Sequence, residues 1–199
     1  MHLIAHRKNT LADLQATPEK YGVEVDIRCR GSQLIIHHDA FVDGEDFLAW
    51  IAAYRHGTLI LNVKEEGLEQ RLLDVMKQHG VEDFFFLDQS FPFLIRTSRT
   101  GERRCAARVS EFESVETALT LAGKIDWIWV DCFTRFPLGR PAYDRLRQAG
   151  FRLCLVSPEL QGRPAEQEIP AMAALVASLG MTMDAICTKR PDLWEATGL

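Results

Sequence analysis

Four short polar clusters in the first third of the chain carry side chains that could do chemistry. They are His6-Arg7, Glu24-Val25-Asp26, His38-Asp39 and Asn62-Val63-Lys64, and each lies on or just after a run of apolar, often β-branched residues. Together they supply two imidazoles, several carboxylates and two cations that stay charged at neutral pH. Those groups are the parts needed to bind a metal ion and to break a phosphate ester.

The pair Glu24 and Asp26 is a candidate site for a hard divalent cation. Side chains of a strand alternate with a period of two, so both carboxylates lie on one face. Two such carboxylates repel each other unless a cation or a shared proton intervenes. Oxygen ligands of this kind suit Mg²⁺ or Ca²⁺. The simpler alternative is an ion pair with Arg7, Arg28 or Lys64.

Two imidazoles, those of His6 and His38, could divide the labour of acid–base catalysis. One would take a proton from the nucleophile while the other protonates the departing alcohol. Asp39 could orient a histidine ring through a hydrogen bond. His37 is expected to point to the opposite face of its strand. A histidine at a strand end is also often a hydrogen-bonded structural residue, and that interpretation stays open for His6.

Asn62 and Lys64 share one face at the end of another predicted strand. Lys64 is a point charge suited to a phosphate oxygen. Asn62 is a neutral oxygen ligand at best. An additional anionic ligand could come from Glu66 or Asp131, although solvation in a loop or helix is the simpler role for Glu66.

The elements that must position these clusters alternate between strand and helix along the whole chain. Near-continuous apolar strands separated by helices indicate a parallel sheet covered by helices. Eight such units predict a short (β/α)₈ TIM barrel and a single domain over residues 1–199. The predicted parallel strands are Leu3–His6, Gly22–Asp26, Thr58–Val63, Asp83–Leu87, Arg103–Arg108, Asp126–Asp131, Phe151–Val156 and Asp184–Thr188.

One segment, Leu34–His38, breaks this alternation. It follows the second strand too closely for a parallel crossover, which needs about a dozen residues. The link Arg28–Gln33 is therefore predicted to be a hairpin turn, with Gly31 and Ser32 as turn residues. Such a hairpin would return His38 towards the carboxylates of the second strand. A helix is predicted after it, over Glu45–His56.

The composition is that of a globular protein with no signal for a nucleic-acid partner. Hydrophobic residues make up 47% of the 199, the net charge is −5 and the pI is about 5.7, which argues against binding to nucleic acid or a basic membrane-surface role. No apolar run approaches the length of a membrane span, and a cytosolic protein without membrane insertion is expected. The five cysteines lack metal-motif spacing and are expected to be free thiols. All but Cys29 lie in predicted buried strands: Cys105, Cys132, Cys154 and Cys187.

In the types and order of these four clusters, the chain resembles the glycerophosphodiester phosphodiesterases of the phosphatidylinositol-phospholipase-C-like barrel superfamily. The family pattern of His-Arg, Glu-x-Asp, His-Asp and Glu-x-Lys is matched by IAHRKNT at 4–10, GVEVDIRCRGSQLIIHHD at 22–39 and LILNVK at 59–64. DQSFPFLI at 88–95 and DAICTKRPDLW at 184–194 are similar to later family segments. The resemblance covers nearly the whole chain, and the first 40 residues carry most of its specificity.

The resemblance implies a role for each residue of the four clusters. The acid–base pair would be His6 and His38, the phosphate would be held by Arg7 and Lys64, and the divalent metal, Mg²⁺ or Ca²⁺, would be bound by Glu24, Asp26 and Asn62. The family has an acidic residue where this chain has Asn62, so a weaker metal site is expected. The family's glycine after His-Arg is Lys8 here, and the cap that recognises glycerol is expected to be reduced.

Three functions stay open on these residues. The first is metal-assisted hydrolysis of a small glycerophosphodiester-like substrate. The second is a metal-independent, lyase-like cleavage that gives a cyclic phosphate, because bacterial phosphatidylinositol-specific relatives resemble this layout with an arginine in place of the metal. The third is a non-catalytic barrel that binds a phosphorylated ligand. The oligomeric state does not follow from the sequence.

Overall fold

The structure is a computed structural model that describes residues 1–199. Strands and helices alternate through the chain, and strands occur at all eight positions predicted for the parallel sheet. The strands are β1 (His2–Ala5), β2 (Gly22–Arg30), β3 (Gln33–Ile36), β4 (Glu45–Asp46), β5 (Leu59–Val63), β6 (Phe84–Leu87), β7 (Ala106–Val109), β8 (Trp127–Val130), β9 (Arg152–Val156) and β10 (Ala185–Thr188). The helices are α1 (Leu11–Ala16), α2 (Phe47–Ala52), α3 (Glu69–His79), α4 (Phe91–Arg99), α5 (Val115–Leu119), α6 (Arg140–Gln148), α7 (Ala165–Ser178) and α8 (Pro191–Ala196).

Two compact units make up the chain. The N-terminal unit is Ala5–Cys105, and the C-terminal unit combines Met1–Ile4 with Ala106–Leu199. The expectation of a single domain stays a prediction. None of the helices has the length and apolar character needed to cross a bilayer.

Parallel strands form the core of the N-terminal unit. β2 pairs in parallel with β5, and β5 pairs in parallel with β6. Every residue of β5 and β6 is buried, as are the first six residues of β2. Burial on both faces explains why these strands are almost continuously apolar. The register places Asp26 opposite Asn62, so polar side chains of neighbouring strands meet within an otherwise apolar sheet.

The second half of β2 pairs with β3 in an antiparallel ladder. Arg30 lies opposite Gln33 and Ile27 lies opposite Ile36. Between the two strands Gly31 has a φ of +59°, a left-handed conformation that glycine adopts at little cost. This tight turn sends the chain straight back along β2. The residues after Ile36 therefore run beside the part of β2 that carries the two carboxylates.

Helix α2 is shorter than the predicted helix over Glu45–His56. Its first two predicted residues form strand β4 instead, and the helix covers Phe47–Ala52. Asp46 sets its start, because its side chain accepts a hydrogen bond from the Ala49 amide at 2.8 Å. At the other end the ring of His56 contacts the Thr17 carbonyl at 2.9 Å. The last predicted turn is replaced by this tertiary contact.

The C-terminal unit contains the other parallel strands. β7, β8, β9 and β10 pair in sequence order and in parallel, and β1 lies beside β10. Trp194 of α8 is buried, and its indole N–H donates to the Ser157 hydroxyl at 2.7 Å.

Four of the five cysteines are buried as predicted, and Cys29 is partly exposed.

A carboxylate, that of Glu111, holds the loop after β8 in the C-terminal unit. It accepts hydrogen bonds from the backbone N–H groups of Phe133, Thr134 and Arg135 at 2.7–3.2 Å, and from the Thr134 hydroxyl at 2.9 Å. Partial burial opposes ionisation of Glu111, but the hydrogen bonds outweigh it and lower the pKa from the ordinary 4.5 to about 2. The ionised form of Glu111 therefore stabilises the fold.

Glu111→Gln is expected to lower the free energy of unfolding by about 1 kcal/mol at pH 7, because neutral amides accept hydrogen bonds more weakly than carboxylates. Folding lowers the pKa of Glu111, so its contribution is present above pH 4.5 and is lost as the pH falls towards 2. Urea unfolding of both proteins at several pH values measures this. Glu116→Gln, which changes a carboxylate paired with Arg145 on the surface, should have little effect. A Glu111→Gln difference that does not vary with pH would contradict the assignment.

Candidate active site

Two buried carboxylates on β2 are the centre of the candidate site. Glu24 and Asp26 are 1% and 0% exposed, and both lie on the same face of the strand. Ionised carboxylates are costly to bury unless positive charge and hydrogen-bond donors surround them. The neighbours of these two side chains therefore define the site.

Glu24 accepts two hydrogen bonds, one from the segment after β1 and one from β5. The backbone N–H of Arg7 donates to Oε2 at 2.7 Å, and the Asn62 side-chain amide donates to Oε1 at 2.9 Å. The His6 Nε2 atom lies 3.8 Å from Oε2. Burial, followed by the charge of Asp26, raises the pKa of Glu24 to about 7. The two carboxylates thus resist being ionised together.

Asp26 is held by an asparagine and by two cations. The Asn9 amide donates to Oδ2 at 2.8 Å, and the Asp26 backbone N–H donates back to the Asn9 side-chain oxygen at 3.1 Å. The Lys64 ammonium lies 3.2 Å from Oδ1, and the Arg7 Nε atom lies 3.6 Å from Oδ2. The structure therefore brings Arg7 and Lys64, the two predicted phosphate-binding cations, to one carboxylate.

A third carboxylate, that of Asp88, lies just after β6. Its Oδ2 atom is 3.4 Å from the Lys64 ammonium, so Lys64 contacts both Asp26 and Asp88. Asp88 has a φ of +59° and Arg7 a φ of +50°, a left-handed conformation that is uncommon outside glycine. Strained backbone of this kind is found preferentially at functional sites. The two strained residues both contact the site.

The β2–β3 hairpin places His38 at a cavity of about 910 Å³ that Arg7 and Asn9 also line. The His38 Nδ1 atom hydrogen-bonds the Asp39 carboxylate at 2.7 Å. The same interaction lowers the pKa of Asp39. His38 therefore shares its cavity with one of the two cations, Arg7.

The expectation that His37 points away from the site is wrong. Its side chain lines the same cavity as His38, and its Nδ1 atom accepts the Asp39 backbone N–H at 3.0 Å. The reason is that β3 ends at Ile36, so strand alternation does not extend to residues 37 and 38.

The oxygen atoms around Asp26 fit a hard divalent cation. Asp26 and Asn62 are opposite each other in the β2–β5 register. The buried Oδ1 atom of Asn62 accepts no hydrogen bond, and the buried Oδ1 atom of Asp26 has the Lys64 ammonium 3.2 Å away. With Glu24 they offer three oxygen-bearing side chains, the kind that Mg²⁺ and Ca²⁺ prefer. No group of three or more histidine, cysteine or acidic side chains could hold a metal, so the Asn62 amide would have to be a ligand. Such a site carries less negative charge than one built from three carboxylates.

Of the two acids suggested as additional ligands, Asp131 has other partners. It accepts hydrogen bonds from Arg108 at 2.5 Å and from Gln161 at 2.6 Å, all within the C-terminal unit. Besides Asp26, the carboxylate that lies next to Lys64 is that of Asp88.

Sequence patterns missed three supporting residues, Asn9, Trp50 and Asp88. Trp50 of α2 donates its indole N–H to the Lys8 carbonyl at 3.0 Å, which ties α2 to the segment after His6 and Arg7. Single polar or aromatic residues carry no spacing signal. The strained turn at Asp88 likewise cannot be recognised from residue types.

Solved structures with this fold include two glycerophosphodiester phosphodiesterases. The enzyme from Agrobacterium tumefaciens superposes with a TM-score of 0.68 over 100% of this chain and 99% of its own, at 16% identity. The one from Parabacteroides distasonis superposes with a TM-score of 0.70 over 98% and 85%, at 14% identity. The protein therefore has an α/β fold like that of glycerophosphodiester phosphodiesterases.

Solved structures that are similar to this chain also include a protein that is not named as a phosphodiesterase. A mutant tryptophan synthase α-subunit from Pyrococcus furiosus superposes with a TM-score of 0.58 over 94% of this chain and 86% of its own, at 14% identity. No family model matches the sequence. No curated protein sequence matches it either. At these identities the superpositions establish the fold, and the activity has to be argued from the site.

Asn9→Ala is expected to lower the free energy of unfolding by about 1–3 kcal/mol, because it removes two hydrogen bonds from the buried Asp26, one to Oδ2 and one from its backbone N–H. Chemical denaturation followed by circular dichroism measures this. Gln33→Ala is the matched control, since it removes an amide–carboxylate hydrogen bond at the surface, to Asp46 at 2.7 Å, and should cost less than about 0.5 kcal/mol. Equal losses in the two variants would contradict the supporting role of Asn9.

Proposed function

We propose that this protein is a metal-assisted phosphodiesterase that hydrolyses a small glycerophosphodiester-like substrate by acid–base catalysis between His6 and His38. One observation carries the proposal: His6, Arg7 and Lys64 contact a single pair of buried carboxylates, and His38 lines the same cavity as Arg7. The glycerophosphodiester phosphodiesterases that share the fold support this class of reaction.

The phosphate would bind to the cations Arg7 and Lys64. Arg7 is 41% exposed at the cavity, so its guanidinium is accessible to a ligand. Lys64 is held between Asp26 and Asp88, which fixes the position of its ammonium group. Positive charge placed in advance beside the nonbridging oxygens stabilises the transition state, usually the largest single contribution to catalysis.

Hydrogen bonding favours His38 as the base, which leaves His6 as the acid. The pKa of Asp39 is lowered by its hydrogen bond to His38, so Asp39 is ionised and can only accept. His38 therefore carries its proton on Nδ1 and has a lone pair on Nε2 that can take a proton from water or from a neighbouring substrate hydroxyl. The Nε2 atom of His6 is 3.8 Å from Glu24 Oε2, and we assign His6 the donation of a proton to the leaving alcohol.

Glu24, Asp26 and Asn62 would hold the metal, Mg²⁺ or Ca²⁺. When bound, the ion would supply further positive charge to the phosphate oxygens. Binding is expected to be weaker than in a site with three acidic ligands, because affinity follows the charge of the ligands.

A metal-independent cleavage that yields a cyclic phosphate is the second candidate. One observation favours it: the Asn62 amide donates to Glu24 and the Lys64 ammonium lies 3.2 Å from Asp26, so both carboxylates already have protein partners. The third candidate, a non-catalytic phosphate-binding protein, predicts binding of phosphodiesters without turnover.

The surroundings of the site bear on substrate and location. The β2–β3 hairpin is followed by a single short helix, α2, before β5, and we propose that this segment is a reduced cap that leaves the cavity open to small substrates. Five free cysteines are typical of a reducing compartment, so we propose a cytoplasmic location.

Replacing either catalytic candidate, by His6→Ala or His38→Ala, is expected to lower kcat by at least 100-fold, because positioned acid–base groups contribute 10²–10⁴-fold. Turnover of bis(p-nitrophenyl) phosphate and of a panel of glycerophosphodiesters measures this, with circular dichroism to confirm folding. His79→Ala, at the end of α3, is the control and should keep full activity. Full activity in both site variants would exclude the proposed mechanism.

Removal of divalent cations with EDTA is expected to abolish turnover, and added Mg²⁺ or Ca²⁺ should restore it. Asn62→Glu should then tighten binding of Mg²⁺ by about tenfold or more in calorimetry, since it adds a unit of negative charge to the ligands. Asn62→Ala should weaken it. Activity that survives chelation, with a cyclic phosphate product in the phosphorus NMR spectrum, would instead support the metal-independent reaction.

A further inference from the structure

A largely buried guanidinium, that of Arg28, contacts the backbone of His38. Its Nη2 atom donates to the His38 carbonyl oxygen at 2.9 Å, and its Nε atom donates to the same oxygen at 3.3 Å. The Arg28 side chain is 14% exposed. None of the chemistry proposed above uses Arg28, so its contacts need a separate explanation.

Glu65, the residue after Lys64, holds the other side of this guanidinium. Its Oε1 atom lies 3.5 Å from Arg28 Nη1. Its Oε2 atom accepts the Cys29 backbone N–H at 3.1 Å and the Cys29 thiol at 2.8 Å. Glu65 is thus anchored to β2 by several donors. Arg28 and Glu65 together connect the segment that carries His38 to the end of β5 that carries Lys64.

The segment 37–44 needs such a connection, because it belongs to no strand or helix. The hydrogen bonds between Asp39 and the two histidines lie within this segment. The His37 backbone N–H donates to the Asp26 carbonyl at 3.1 Å, and the His38 carbonyl, one residue further on, is held by Arg28. An arginine suits the task, since its planar group stays charged and presents several donors in a fixed geometry. Two donors on one carbonyl restrict where the His38 backbone can lie.

We propose that Arg28, held in place by Glu65, is a positioning residue that sets the His38 imidazole relative to the phosphate bound by Lys64 and Arg7. The inference rests on the proposed function. It assigns Arg28 no contact with substrate, and it explains how a histidine on an irregular segment is kept at a fixed place beside β2. A misplacement of about 1 Å can cost on the order of 100-fold in rate, so such control has a measurable consequence.

Arg28→Ala should lower kcat for bis(p-nitrophenyl) phosphate by about 10- to 100-fold and change KM by less than about threefold, because Arg7 and Lys64 remain. Amide hydrogen exchange in residues 38–44 should accelerate by about tenfold or more while exchange in β5 and β6 stays unchanged. Arg28→Lys should restore only part of kcat, since an ammonium lacks the planar fork.

Arg30→Ala is the matched control. Arg30 lies two residues along the same strand and also contacts the segment, through an ion pair with Asp43, but its side chain is 66% exposed. Its removal should change kcat by less than about twofold, as expected for an exposed pair. Glu65→Gln provides a milder second variant, expected to lower kcat by about three- to tenfold with the fold intact. If Arg28→Ala does not fold, this variant tests whether the Arg28–Glu65 pair positions His38.

The proposal is overturned if Arg28→Ala keeps wild-type kcat and wild-type exchange, or if Arg30→Ala loses as much activity as Arg28→Ala. A loss of kcat accompanied by faster exchange throughout β2, β5 and β6 would also overturn it, because that result indicates general destabilisation. If the wild-type protein turns over no phosphodiester, the proposed function fails and the catalytic part of this inference fails with it. Hydrogen exchange would still report separately whether Arg28 anchors the segment.

Discussion

The burial of two carboxylates on one face of β2 is the constraint on which the rest of the site depends. Glu24 and Asp26 are almost wholly removed from water, and the high pKa of Glu24, about 7, reflects the cost of ionising both. That cost is offset only where donors and cations arrive from several elements. The segment after β1 supplies the Arg7 and Asn9 contacts, and β5 with its following residue supplies Asn62 and Lys64. A cluster of polar groups thus converges because the carboxylates cannot be buried without them.

The strand register turns this electrostatic requirement into a geometry. Because Asp26 lies opposite Asn62, the two side chains project to the same place, and the Lys64 ammonium follows two residues later. The hairpin then adds what the parallel strands do not provide, an imidazole on a segment that runs back along β2. His38 is consequently the site residue with the least support from regular structure. The Arg28 guanidinium donates to the His38 carbonyl oxygen and so holds the backbone of this residue in place.

Sequence reasoning predicted the regular parts of this structure better than the irregular ones. Apolar, β-branched runs identified strands at all eight expected places, because burial on both faces leaves little choice of residue type. Period-two alternation correctly placed Glu24 and Asp26 together, but it failed at His37, where the strand has already ended. Asn9 and Asp88 were missed because their roles depend on backbone turns after β1 and β6. Residue types and spacing suggest Arg28 only as an ion-pair partner of the carboxylates, because its contact with the His38 carbonyl has no sequence pattern.

The neutral Asn62 would change how a metal ion, if one binds as proposed, competes with the protein's own cations. A glutamate at this position would add a third negative charge beside Glu24 and Asp26, and the repulsion among three carboxylates would demand a multivalent cation. With asparagine, two carboxylates remain: Asp26 faces the positive charges of Arg7 and Lys64, and Glu24 accepts a hydrogen bond from the Asn62 amide. A metal bound as proposed would compete with the Lys64 ammonium for Asp26, whereas a phosphate bound to Lys64 and Arg7 would share their positive charge with the carboxylate. Binding of the proposed metal and of the phosphate would accordingly favour each other, because each weakens the charge interaction that opposes the other.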